Sequence, residues 1–137
     1  MSEADDVAYW LERLASPDAR ARVETLKQIA EAPVADARLL AATEKLLADR
    51  EVCLVQIPYR YGEVRMFAAD AVAAIRKLLG KSEPVVIADT FFPLTTDDIG
   101  KYAAAAGVAL GAGTDGVLAT LRELVARGAV TTRKITR

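Results

Sequence analysis

Apolar side chains recur at helical spacing through most of this 137-residue chain, and this periodicity constrains its fold more than any other feature. Val7, Trp10, Leu11 and Leu14 follow the i, i+3, i+4, i+7 pattern of one helix face. Similar stripes predict helices at about 4–15, 17–32, 35–48, 63–79, 96–106 and 114–127. The alanine, leucine and charged residues between the stripes also favour helix. We therefore predict a mainly all-α single domain over residues 1–137.

Three stretches lack the helical spacing. Residues 51–62 (EVCLVQIPYRYG) are first apolar and β-branched and then aromatic, which predicts either a short strand with a turn or a long inter-helix loop. Residues 84–94 (PVVIADTFFPL) are apolar and extended in character, with a proline near each end. The last residues, AVTTRKITR, mix β-branched and polar side chains, which predicts a short strand near the C-terminus. We expect β structure only as a small addition to the helices.

The second and fourth predicted helices align with each other at an offset of 43 residues, which places Arg22 on Arg65. Residues 64–75 (VRMFAADAVAAI) resemble the second helix of the short HEAT repeats found in phycobilisome-lyase-like proteins. The acid that precedes the arginine in that family is matched here by Glu63, one position late. This resemblance to the HEAT-repeat superfamily covers about residues 4–80. It implies two helical hairpins stacked in the manner of an α-solenoid, a fold that commonly serves protein binding.

Residues 84–137 leave two alternatives open. The first is a third hairpin, in which the helices at 96–106 and 114–127 continue the stack. The second is a winged-helix-like module, which residues 94–137 resemble in two features. A helix begins at Leu94–Ile99, and the last helix before Gly128 has a similar spacing of apolar residues. The winged-helix resemblance implies that Arg133, Lys134 and Arg137 would lie on the wing, near phosphates.

The charge is distributed unevenly along the chain, although its net charge is only −1. Residues 1–100 hold 12 Lys/Arg and 17 Asp/Glu, a balance of −5, whereas residues 101–137 hold 6 and 2, a balance of +4. A basic end on an acidic body indicates an anionic partner. The alternative for Arg122 and Arg127 is a place near a helix C-terminus, where the dipole favours cations. The candidate nucleic-acid contacts are Arg122, Arg127, Arg133, Lys134 and Arg137.

The residue types that most often carry out catalysis are missing or badly placed. The chain has no histidine, which is the commonest general base and metal ligand. Cys53 lies among apolar neighbours, so we predict a buried, unreactive core thiol. Gly111–Gly116 matches G-x-G-x-x-G, but no acid follows at about 20 positions, so we predict a flexible turn. We expect no enzyme activity, no catalytic residue, no metal and no cofactor.

Aromatic and basic side chains cluster in a charge-poor part of the 51–62 segment. Tyrosine and arginine are enriched at interface hot spots, so Tyr59, Arg60 and Tyr61, with Arg65 beside them, form the predicted partner-binding surface. The alternative is that both tyrosine rings pack on the repeat core. Phe91-Phe92 is either a plug for the end of the repeat stack or a second contact patch.

The sequence therefore predicts a non-catalytic adaptor module that binds another protein. The alternative is a DNA-binding transcriptional regulator that uses the C-terminal module. The single cysteine suits a reducing compartment, and the acidic N-terminus lacks the apolar segment of a signal peptide. No apolar run reaches the roughly 18 residues that span a bilayer. We accordingly expect a cytoplasmic protein that does not bind membranes.

Overall fold

The computed structural model describes residues 2–56 and 59–137. Ile57 and Pro58, which belong to the 51–62 segment, lie outside the described residues. The α-helices are α1 (Glu3–Leu14), α2 (Ala19–Glu31), α3 (Ala37–Lys45), α4 (Val64–Leu78), α5 (Thr96–Ala106) and α6 (Gly113–Ala126), and a 3₁₀ turn (Leu46–Ala48) follows α3. The strands are β1 (Val52–Gln56), β2 (Arg60–Glu63), β3 (Val86–Thr90), β4 (Leu94–Thr95) and β5 (Arg133–Thr136).

The prediction of an all-α solenoid is wrong, because the strands form two antiparallel sheets, one of which uses the middle of the chain. The larger sheet has the order β1-β2-β4, and β3 pairs with β5 in the smaller one. In the first sheet Arg60 lies opposite Thr95, and in the second Ile87 lies opposite Ile135. Both sheets thus join segments that are distant in the sequence. The chain has an α/β fold.

The first four helices pack together in the N-terminal half of the chain. α1 contacts α2 and α3 contacts α4, while α2 also packs along α4 and α1 along α3. Leu26, Ile29 and Val72 lie in this first core without exposed surface. Burying a side chain of this size stabilises the fold by about 1.5–3 kcal/mol. Apolar burial along α2 and α4 therefore holds the N-terminal half together.

Strand β1 separates two hydrophobic cores. Cys53 and Val55 belong to the first core, with α1–α4, whereas Val52 and Leu54 belong to a second core, with α5 and α6. Successive side chains of a strand point to opposite faces, so all four are buried. Burial of both faces explains the unbroken apolar run VCLV. Of the two interpretations of residues 51–62, the strand is therefore correct.

The second core explains why the C-terminal helices do not extend the helical stack. α5 and α6 pack on each other, and α6 packs on β1. The sheet, and not a helix face, thus lies between them and α1–α4. Extended structure was predicted for residues 84–94 and for the last residues of the chain, and β3 and β5 confirm it. No helix in the described part of the chain is long and apolar enough to cross a membrane.

The start of α4 has an unusual cap. Glu63 precedes the helix, but its carboxylate accepts no helix amide. The amide of Val64 donates to the carbonyl of Glu51 at 3.0 Å, and the amide of Arg65 donates to that of Asp49 at 2.9 Å. The chain just before β1 thus satisfies the first amides of α4, which a helix cannot satisfy itself. This arrangement leaves the carboxylate of Glu63 available for other contacts.

The glycine-rich segment before α6 is a place of close backbone packing. A Cβ on Gly111 would lie 2.5 Å from the carbonyl oxygen of Gly116, and one on Gly116 would lie 2.7 Å from the carbonyl carbon of Gly111. The hydroxyl of Thr120 donates to the carbonyl of Gly116 and accepts from the amide of Gly111, both at 2.9 Å. Two glycines of the motif therefore allow the connection from α5 to cross the first turn of α6.

Candidate functional site

An open groove of about 620 Å³ lies between α5 and the segments next to β4 and β5. Such a volume is typical of sites that bind a ligand or a short segment of chain. The groove has an aromatic and apolar wall, and Asp98, Lys101 and Arg133 also line it. The apolar wall includes Phe92, Pro93, Leu94, Tyr102 and Ala105.

The phenylalanine pair contributes one ring to the protein interior and one to the groove. Phe91 is buried in the second core, whereas Phe92 is 42% exposed. The guanidinium carbon of Arg133 lies 4.6 Å from the centre of the Phe92 ring. A cation over an aromatic face is attracted by the quadrupole of the ring. The Arg133–Phe92 pair is therefore an exposed platform with both apolar and positive character.

Asp98 is the acid of the groove, and it already serves the fold. Its carboxylate accepts a hydrogen bond from the backbone amide of Thr95 at 3.0 Å, and the Thr95 hydroxyl accepts from the amide of Asp98 at 3.1 Å. The backbone hydrogen bond from Thr95 lowers the pKa of Asp98, and so do the Thr95 side chain and the charges of Lys101 and Arg60. Asp98 is therefore ionised at neutral pH and engaged as the cap of α5.

Two of the four residues predicted to bind a partner lie on the surface, and one of them, Arg60, lies near this groove. Arg60 is exposed, lies opposite Thr95 in the sheet, and acts electrostatically on Asp98. Tyr59, just before it, is 58% exposed. The other two are buried, since Tyr61 is 2% exposed in the second core and Arg65 is 7% exposed. The four side chains thus do not share one exposed surface.

Arg65 belongs instead to a buried polar cluster around Glu63, whose side chain is 1% exposed. Oε1 of Glu63 accepts from the Thr90 hydroxyl at 2.8 Å and from Nη2 of Arg65 at 3.2 Å. Arg65 also donates to the carbonyl of Asp89 at 2.6 Å, and Arg50 donates to the same oxygen at 3.0 Å. The cluster ties the start of α4 to the end of β3. No pattern in the sequence indicates this cluster, although Glu63 and Arg65 are only two positions apart.

The backbone of Asp89 is strained at this cluster. Asp89 has a φ of 54°, and no other non-glycine residue in the described ranges has a positive φ. Aspartate tolerates this region better than most residues, yet the conformation still costs free energy. The two guanidinium contacts to its carbonyl, from Arg50 and Arg65, offset part of that cost.

The five basic residues predicted to contact nucleic acid do not form one free surface. Three of them are engaged within the protein: Arg122 with the carbonyl of Val52 (3.5 Å), Arg127 with Glu123 (2.6 Å) and Arg137 with Asp70 (2.7 Å). Arg133 and Lys134 lie on β5, which pairs with β3, a strand that precedes α5. Arg133 is the one that lines the groove.

Cys53 lies in the first core, where burial, with a smaller contribution from the charge of Glu51, raises the pKa of its thiol to about 11. Over the described ranges 2–56 and 59–137, no three Cys, Asp or Glu residues lie close enough together to hold a metal ion.

Comparison with family models, curated proteins and solved structures finds no match. Function is therefore inferred from the groove and the charges around it.

Proposed function

We propose that this chain is a non-catalytic protein-interaction module that holds a segment of another protein in the groove between α5 and β5. The observation that carries this proposal is the exposed Arg133–Phe92 platform on the wall of a groove of about 620 Å³. Aromatic and arginine side chains contribute most of the binding energy at protein interfaces. A concave, largely apolar site with a few polar groups is also the usual form of a binding pocket.

The groove walls rest on well-anchored elements. α5 begins with the Thr95–Asp98 capping box and ends at Gly107, whose φ of 70° suits a left-handed helix cap. Ile99 and Ala103 of the same helix are fully buried in the second core. A site that is already formed loses less conformational entropy when a partner binds. This anchoring favours a stable docking surface over a flexible loop.

Because Tyr61 and Arg65 are buried, the proposed binding surface is the groove, with Arg60 near it, and not the cluster of Tyr59, Arg60, Tyr61 and Arg65. In this proposal α1–α4 form the body that supports the groove. A cytoplasmic location is part of the same proposal.

A DNA-binding regulator has less support. Phosphate binding depends on cations that are free to contact the backbone, and three of the five candidates already have partners within the protein. The helix that would enter the groove of DNA, α6, carries the acidic residues Asp115 and Glu123. Those carboxylates would repel phosphate.

Phage display of random twelve-residue peptides on the purified protein tests the proposed function. We expect enriched peptides whose binding weakens at least about tenfold with Phe92→Ala, because hot-spot aromatics contribute on the order of 2 kcal/mol. Tyr9→Ala is the matched control, since Tyr9 is 49% exposed and also lies under an arginine, Arg13, at 5.7 Å. The control should bind the same peptides as the wild type.

Two results would contradict the proposal. One is the absence of any enriched peptide, and the other is a set of peptides that bind the Phe92→Ala variant as well as the wild type. Binding of an oligonucleotide that falls steeply with salt and is insensitive to Phe92→Ala would support the DNA-binding alternative.

A further inference from the structure

The charges around the groove define the kind of segment that it receives. Lys101 on α5 and Arg133 on β5 are both exposed at the groove. Arg60 adds a third positive charge close enough to lower the pKa of Asp98. Asp98, the acid among the residues that line the groove, is ionised and engaged in its capping box, and the two lining cations, Lys101 and Arg133, outnumber it. The groove is therefore positive, although the whole chain has a net charge of −1.

The guanidinium of Arg133 is placed to receive a carboxylate. Its Cζ atom lies over the Phe92 ring at 4.6 Å from the ring centre, and within the described ranges its N–H groups have no hydrogen-bond or ion-pair partner. Stacking uses the face of a guanidinium and leaves the donors at its edge free. Those donors match the two oxygens of a carboxylate, with which arginine forms bidentate pairs. Lys101, likewise without an ion pair among the described residues, supplies a second positive charge on α5.

We infer that the groove binds an acidic protein segment that carries one aromatic or large aliphatic anchor. This inference rests on the proposed function and names the chemistry of the partner. The anchor side chain packs against Phe92, Leu94 and Tyr102, which form the apolar wall. Carboxylates on either side of the anchor pair with Arg133 and Lys101. Complementary charge of this kind contributes mainly specificity and association rate, while the apolar anchor contributes most of the affinity.

A carboxylate segment accounts for the groove better than a nucleic acid does. A nucleic-acid strand presents one phosphate per nucleotide and needs a continuous line of cations. Here Arg122, Arg127 and Arg137 are engaged elsewhere, and Arg133 is the only one of the five candidate contacts that lines the groove. An apolar wall with two or three nearby cations matches a peptide with one anchor residue and a few acids.

Fluorescence anisotropy with defined peptides tests this inference. The probe is a labelled peptide of sequence Glu-Asp-Glu-Trp-Glu-Asp-Glu, capped at both ends and measured at low salt. One control peptide replaces every acid with lysine, and another replaces the tryptophan with serine. We expect both replacements to weaken binding at least about tenfold, because the first reverses the charge and the second removes the anchor.

Charge reversal in the protein provides the matched control. We expect Arg133→Glu to weaken binding of the acidic probe at least about tenfold and the pair Lys101→Glu/Arg133→Glu to prefer the lysine peptide. Lys134→Glu makes the same charge change one residue along β5, outside the groove lining, and should have a much smaller effect. Far-ultraviolet circular dichroism of each variant shows whether it is folded.

Four outcomes would overturn the inference. They are equal binding of the acidic and lysine peptides, equal losses with Arg133→Glu and Lys134→Glu, displacement of the probe by an oligothymidine more readily than by unlabelled peptide, and self-association of the protein that Arg133→Glu abolishes. If display selects peptides that need Phe92 but are not acidic, this inference fails while the proposed function stands. If display selects none, the proposed function fails as well.

Discussion

The close contact between Gly111 and Gly116 predicts that two alanine substitutions with the same chemistry will have opposite effects on stability. Gly116 lies in the first turns of α6, and Gly100 lies in the middle of α5. Replacing a helical glycine with alanine normally stabilises a protein by about 0.5–1 kcal/mol, because alanine loses less backbone entropy on folding. The two sites differ in the space available for the added methyl group.

The structure gives the size of the difference. A Cβ at Gly100 would meet only the Cδ2 atom of Leu110, at 3.5 Å, which is an ordinary contact. A Cβ at Gly116 would lie 2.7 Å from the carbonyl carbon of Gly111, so the backbones would have to separate by about 0.7 Å to reach 3.4 Å. Overpacking of this kind costs about 1–3 kcal/mol. We expect Gly100→Ala to stabilise the protein. After the gain in helix propensity, we expect Gly116→Ala to destabilise it by up to about 2.5 kcal/mol.

Gly111→Ala tests the same contact from the other side. Its Cβ would lie 2.5 Å from the carbonyl oxygen of Gly116, and Gly111 lies outside a helix, so no gain in helix propensity offsets the clash. We expect a loss of about 1–3 kcal/mol. The double variant Gly111→Ala/Gly116→Ala should lose less than the sum of the two, because one substitution already separates the backbones.

Urea unfolding followed by circular dichroism measures these changes. With a slope of about 2 kcal/mol/M, a change of 2 kcal/mol moves the unfolding midpoint by about 1 M. The reasoning is refuted if Gly116→Ala is as stable as Gly100→Ala, or if the Gly111 and Gly116 effects add fully. Either result would mean that the two backbones are not in contact.

Two further predictions concern buried ionisable groups. Glu63→Ala leaves Arg65 and Thr90 without their buried acceptor and should destabilise the fold by about 3–5 kcal/mol, measured by urea unfolding. Glu63→Gln keeps an acceptor oxygen and should destabilise the fold clearly less. Equal losses for the two variants would contradict the hydrogen-bond argument. Burial raises the pKa of Cys53 from its ordinary value of 9.0 to about 11, so at pH 8 its thiolate fraction is about a hundredfold smaller than in the unfolded chain. Iodoacetamide should thus label native protein much more slowly than protein in urea, and comparable rates would contradict the burial of this thiol.

The same thiol links pH to stability. Its folded pKa is raised, so its contribution to stability is complete below the unfolded value of 9.0 and is lost as the pH rises towards about 11. The loss is expected only in this alkaline window.

Local sequence pattern predicted the helices well, because each helix is determined by spacing within one segment. The predicted ranges 96–106 and 114–127 agree with α5 and α6 to within one residue. The extent of β structure was underestimated for a different reason. β1 is buried on both faces, so it shows no alternation, and β2 and β3 pair with segments far along the chain. Pairing of this kind is not visible in a local pattern, so an all-α fold was predicted.

The candidate site was only partly predictable for the same reason. The sequence identified Arg60 and Arg133 in two separate hypotheses, and the fold places both near Asp98 and the groove. The neighbours of Tyr61, Tyr59 and Arg60, predict a binding surface there, yet the Tyr61 side chain faces the second core. Which residues of a short strand face inward depends on what covers each face, and the covering helices α5 and α6 lie more than 30 positions away.

The buried cluster connects the helical half of the chain to the groove. Thr90 is fully buried and donates to Glu63, so the end of β3 is held against the start of α4. Phe91 follows directly and packs into the second core, and Phe92 then turns to the groove. The direction of the Phe92 ring therefore depends on where Glu63 and Arg65 hold this part of the chain. Arg65, which the sequence placed on a binding surface, is buried and positions that surface from within.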